Sequence, residues 1–275
     1  MSLFIAVALS PATASAVPAA TGTVSAQAPA LTGIAKAWKG ARWVNKRTVN
    51  TATRPVPIAQ ELITPVLKGA DRANRRAISK WVTSRVSHQR TLVARWRSSL
   101  NSTGDCDANF DPTAFLYASN THGIHARRYA SAALVFTTNP GCGGVDDNQT
   151  STGAWDLKSH RQLSIGDLAK HPFYDGNRRS LQLELWREVT YGDLSTCVVD
   201  PEIGFTPERA AVKRFTLSKA GIVLHLNRYE GGLVGACASP AVVIPWESIV
   251  LTKRGTSIAR YYGHRGAKDV PLVGE

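Results

Sequence analysis

His122 and His125 lie three residues apart around Gly123, with Asp146 and Asp147 downstream, a set of nitrogen and oxygen donors that could share a metal ion or act as acid and base. The same spacing beside a glycine is also ordinary loop composition, so no metal ligand is assigned. Asp105, Asp107 and Asp111 alternate as calcium ligands do, yet the stretch lacks the glycine and terminal glutamate of an EF-hand loop and reads as a hydrogen-bonded turn. No G-x-S-x-G, S-x-x-K, H-E-x-x-H or G-x-x-x-x-G-K motif occurs. The sequence therefore points to no catalytic residue, cofactor or enzymatic activity. An envelope hydrolase using His122, His125 and Asp146 is kept as the alternative.

Charge offers a stronger pattern. The 33 Lys and Arg exceed the 20 Asp and Glu for a formal net charge of +13. Residues 101 to 275 hold 18 bases and 18 acids, whereas residues 1 to 100 hold 15 bases against Glu61 and Asp71 alone. Such asymmetry suits a negatively charged partner. The candidate anion-binding residues are Lys36, Lys39, Arg42, Lys46 and Arg47, followed by Arg72, Arg76 and Lys80 on the outer side of a helix. A solvated helix face would carry the same cations. Trp155, Trp186 and Trp246 with Tyr191 and Tyr229 could stack on sugar rings, but aromatic residues inside amphipathic elements usually belong to the core.

The elements that must position these residues follow from periodicity. Asp71 caps a helix reaching about Leu100, along which Ile78, Trp81, Val82, Val86, Leu92, Val93 and Trp96 share one arc, interrupted by Arg85 and Gln89. Residues 61 to 67 read as a short edge strand that tolerates Pro65. Strand patterns recur over 110 to 119, 128 to 138, 153 to 159, 215 to 218, 221 to 226 and 241 to 245, and a second, shorter helix is expected over 177 to 189 on Leu181, Leu185 and Val189. The expected fold class is α+β, a mostly antiparallel sheet packed by one long N-terminal helix and a second shorter one. Residues 17 to 58 read as a basic arm, 59 to 252 as the folded domain and 253 to 275 as a loose basic tail.

Leu3 to Leu9 form an apolar segment followed by Ala14-Ser15-Ala16, the pattern of a signal peptide cut after residue 16, although no base precedes it. No apolar run approaches eighteen residues, so no spanning helix is expected. Cys106, Cys142, Cys197 and Cys237 are too far apart for a C-x-x-C motif, and in an exported chain they suggest two disulfides among three possible pairings. Cys106 and Cys142 flank the turn-like residues 120 to 123, and Cys197 and Cys237 flank residues 218 to 221. Hairpin geometry thus favours those two pairs.

The run Phe215 to Glu230, leading through Ala238 to Trp246, resembles the RsiV-like secreted domain family, domain of unknown function 3298. It is similar also to the mycobacterial secreted immunogenic protein family. Trp155-Asp156-Leu157 and Leu163 to Leu168 extend the resemblance, which spans roughly residues 60 to 250. Where that family carries Gly-Gly-Ala-His or Gly-Gly-Thr-His, this chain has Gly143-Gly144-Val145-Asp146, so a ligand contact through that histidine does not carry over. The resemblance implies a secreted, non-enzymatic binding domain acting at the cell envelope. Its expected partner is an anionic envelope polymer, a lipid surface or a secreted protein such as a muramidase; nucleic acid is the weaker alternative.

Overall fold

The computed structural model describes residues 40–53, 58–103, 114–141, 146–198, 205–233, 237 and 240–270. Its longest element begins where the sequence places a cap: Asp71 accepts hydrogen bonds from the backbone N–H of Asn74 (2.9 Å) and from its side-chain amide (2.6 Å). The first satisfies a backbone donor that the first turn of a helix would leave without a partner. The helix, α1, runs Arg72–Thr103. Ile78, Trp81, Val86 and Val93 on its apolar stripe are buried against Ile58, Leu62, Leu116, Leu134 and Phe136 of a six-stranded sheet.

In spatial and chain order the strands are β1 (Arg42–Ala52), β2 (Ile58–Lys68), β3 (Ala114–His125), β4 (Tyr129–Asn139), β5 (Asp147–Asp156) and β6 (Arg161–Gln162). All neighbours are antiparallel except β2 and β3, which pair in parallel from Ile58↔Ala114 to Leu62↔Ala118. A parallel pair needs a long crossover, and α1 is that connection.

The opposite face of the sheet is covered by a second module. It contains the three-stranded sheet β7 (Phe215–Leu217), β8 (Gly221–His225) and β9 (Ala241–Pro245), with helices α2 (Leu181–Tyr191), α3 (Arg209–Lys213) and α4 (Lys253–Tyr261). β4 lies between the layers. Ala130, Ala132, Leu134 and Phe136 join the core under α1, while Tyr129 joins the core around Leu185, Ile222, Ile244 and Trp246. Burial on both sides explains why β4 reads as a nearly unbroken apolar run instead of an alternating one. The α+β expectation, with a mostly antiparallel sheet and a long helix, holds.

Three boundaries differ from the sequence reading. The basic arm expected over 17 to 58 contains a true strand, since β1 pairs with β2 over its whole length, from Arg42↔Lys68 to Ala52↔Ile58. Its β-branched Val44, Thr48, Val49 and Thr51 favour that conformation, and the interleaved bases hid it by occupying solvent-facing positions. β2 is therefore not the edge, yet Pro65 is tolerated because pairing with β3 stops at Leu62 and its missing N–H faces no strand there. The loose tail expected from 253 onward opens with α4, capped by the Thr252 hydroxyl, which accepts from Gly255 N–H at 3.2 Å. Ile258 and Ala259 of α4 are completely buried. Finally, β3 continues through residues 120 to 123 and turns only at Ala126 and Arg127, both in the left-handed region (φ 47° and 52°).

Candidate anion-binding groove

Between the β1–β2 hairpin and the N-terminal half of α1 lies a groove of about 760 Å³. Its wall carries four cations, Arg42 and Lys46 from β1, Lys68 from the end of β2 and Arg75 from the first turns of α1. Among the described residues no Asp or Glu lines it; the rest of the lining is Thr64, Pro65, Val66, Leu67, Gly69, Ile78, Ser79, Val82 and Thr83. The volume lies within the range of about 300 to 1,000 Å³ usual for ligand clefts. Among the described residues, none of the four cations has an ion-pair partner. Their charges are left to solvent or to a ligand.

Local sequence explains the convergence. Gly69, at φ 72°, turns the chain sharply from β2 into α1, and a Cβ there would collide with the Gly40 carbonyl. The turn folds Lys68 and Arg75 back toward Arg42, which faces Lys68 in the β1–β2 register. Arg72, Arg76 and Lys80 follow at i, i+4 and i+8 on α1, exposed, and extend the positive surface beyond the groove. All eight charged side chains of α1 are basic.

The expected site residues do not all behave alike. Arg42 and Lys46 line the groove, whereas Arg47 is committed to Glu61 at 2.8 Å. Two further cations of α1 lie apart from this surface: Arg90 donates to Gln60 (2.8 Å) and Arg97 to the Pro140 carbonyl (3.0 Å), both bending toward the sheet. Gln89, which interrupts the apolar stripe, donates to Gln149 at 3.0 Å. Lys36 and Lys39 lie outside the described residues, as do Cys106, Cys142, Asp105, Asp107 and Asp111. Lys68 and Arg75 were missed, because their role depends on the turn at Gly69. Cys197 and Cys237 form the expected disulfide.

The histidines considered for metal or acid-base chemistry are separated by strand alternation. His122 is exposed, stacks on Trp43 (ring centroids 5.4 Å apart) and contacts Asn45 Oδ1 at 3.1 Å. His125 points inward, 3.2 Å from Ser131 Oγ on one side and 3.2 Å from the Tyr262 hydroxyl on the other. Burial lowers its pKa to about 4, so it is neutral near pH 7. The Ser131–His125 pair resembles a nucleophile and its base, but Ser131 is 1% exposed and its Oγ accepts the Leu217 N–H at 3.2 Å. It fastens β4 to β7. Among the described residues no three His, Cys, Asp or Glu side chains converge as a metal site. Trp155 and Trp246 are core residues, and Tyr191 and Tyr229 are exposed.

No protein-family model matches the chain, and no curated protein does. Solved structures share its fold. A DUF3298 family member from Bacteroides fragilis superposes with a TM-score of 0.54 at 13% identity, covering 83% of this chain and 99% of its own. A DUF3298 family protein from Pseudomonas aeruginosa gives 0.50 at 14% identity, over 80% and 98%. The resemblance to domain 3298 read from the strand and turn motifs is thus matched at the level of fold.

Proposed function

We propose that this protein is a secreted, non-enzymatic binding domain of the cell envelope that holds an anionic polymer or anionic lipid surface through the groove between β1–β2 and α1. The observation that carries the reading is the set of four cations, Arg42, Lys46, Lys68 and Arg75, gathered around one cleft without an acidic neighbour among its described lining residues. Leaving four like charges unneutralised at one cleft costs free energy through mutual repulsion, and a polyanion removes that cost while releasing its counterions. The disulfide Cys197–Cys237 suits an oxidising compartment. No described helix is long and apolar enough to cross a membrane.

The test is sedimentation of the purified chain with vesicles of anionic or zwitterionic lipid, and titration with a soluble poly(glycerol phosphate) chain, at increasing salt. Binding to the anionic probes should fall at least tenfold between about 50 and 200 mM salt, as expected when several phosphates are contacted. The double variant Lys68→Glu and Arg75→Glu should abolish it with the fold intact. Salt-indifferent binding, or an unaffected double variant, would refute the reading.

A further inference from the structure

β1 is the outermost strand of the six-stranded sheet, eleven residues long, and among the described residues pairs with β2 alone. Its outer side presents a row of backbone donors and acceptors with no partner strand among the described residues. The far edge of the same sheet is the two-residue β6, too short to template anything. Long open edges are normally shortened, bulged or covered, because they recruit other strands. β1 contains no proline, pairs with β2 in unbroken register, and leaves Val49 65% exposed. What guards it is charge: Arg42 and Lys46, with Arg47 beside them paired to Glu61 of β2, and no acid in the strand itself.

That guard is selective. A second copy of β1 would bring its own three bases against these, and like charges across a strand pair are unfavourable. An acidic strand meets the opposite situation. Strand alternation places Arg42 and Lys46 on one face and Arg47 and Val49 on the other. We propose that β1 accepts an extended acidic segment of a partner protein as a seventh strand, with carboxylates opposite Arg42 and Lys46 and an apolar side chain beside Val49. Backbone hydrogen bonds supply the affinity and the charge pattern supplies the choice of partner. This goes beyond the groove: the edge shares Arg42 and Lys46 with it, but Lys68 and Arg75 take no part in the edge, so the two can be tested separately.

The probe is a synthetic eight-residue peptide alternating Glu and Val, titrated by fluorescence anisotropy, with hydrogen exchange of the β1 amides read in parallel. The peptide should bind and slow exchange in β1. A peptide with Lys in place of Glu should fail to bind, and the double variant Arg42→Glu and Lys46→Glu should weaken the Glu peptide at least tenfold. The variant Lys68→Glu with Arg75→Glu, which disables the groove, should still bind the peptide. A Glu–Val peptide N-methylated on alternate amides keeps its charge but cannot complete a ladder, and it should lose binding. Equal binding by the N-methylated peptide would show plain charge attraction and overturn the proposal, as would protection that appears in α1 and not in β1.

Discussion

The guanidinium of Arg128, in the β3–β4 turn, clasps the carboxylate of Asp156 at the end of β5 with hydrogen bonds of 2.7 Å from Nε and 2.5 Å from Nη2, and Asp156 has no exposed surface. Burial alone would raise the pKa of this carboxyl. The bonds from Arg128, with help from Ser159 and the Lys158 N–H, outweigh that effect and hold it at about 2. Arg254 of α4 approaches the same carboxylate at 3.7 Å, so one buried charge gathers the turn, the sheet and the last helix.

Asp156→Asn leaves Arg128 without its counter-charge and should cost about 2 kcal/mol, below the figure of about 3 to 5 kcal/mol for breaking a fully buried pair because the Arg128 side chain keeps 35% of its surface in water. Chemical denaturation reads this directly. Because the folded pKa is depressed, the pair's stabilisation is complete above the unfolded value of 3.8 and is lost as pH falls through about 2. The wild type should therefore show an acid loss of stability in that window that the Asn variant lacks.

His125 and His225 should add a second acid transition at milder pH. Burial lowers each to about 4 in the fold, while the unfolded chain protonates near 6.5. Between those values the unfolded state binds more protons, so stability declines on acidification from about pH 6.5 to 4 and levels off below. Melting temperature against pH should show this slope, reduced by roughly half in His225→Gln, whose amide can still meet the Thr216 hydroxyl that contacts His225 at 2.9 Å.

Removing the disulfide with Cys197→Ser and Cys237→Ser should destabilise the protein by about 4 kcal/mol on the chain-entropy account, given a sequence separation of 40. Thermal denaturation of the double variant would check it. A drop below about 1 kcal/mol would mean that the unfolded loop is already held closed by other structure.

Ile258→Ala should cost 2 to 5 kcal/mol, the usual range of about that size for an apolar side chain lost from a core, since Ile258 is fully buried. Truncation after residue 252 should yield aggregating protein, as it uncovers the surface on which Ile258 and Ala259 pack. A truncated chain that stays monomeric and folded would assign α4 no part in the core.

Much of this architecture is legible where one period dominates. α1 follows from Asp71 and its apolar stripe, and β9 falls on the expected residues 241 to 245 because Val242 and Ile244 alternate with exposed neighbours. β1 was unreadable because an edge strand with no fully buried residue carries the composition of a linker. α4 was unreadable for a related reason: Lys253, Arg254 and Arg260 dominate its sequence, and only Gly255, Ile258 and Ala259 face inward. The groove was half visible. Arg42 and Lys46 were found from charge density, but Lys68 and Arg75 join them only through the left-handed turn at Gly69, a tertiary fact without a signal in spacing.

The parallel seam between β2 and β3 also orders events in time. The β1–β2 and β3–β4 hairpins join residues close in sequence, whereas Ile58 meets Ala114 only after α1 has spanned the sheet. Loop closure over that interval carries an entropic cost that local hairpins avoid, so the seam is the slow step of assembly and the two hairpins precede it. During synthesis the chain must therefore wait for β3 to emerge, with the apolar side of β2 uncovered, which makes this interval the one in which a holding chaperone has most to protect.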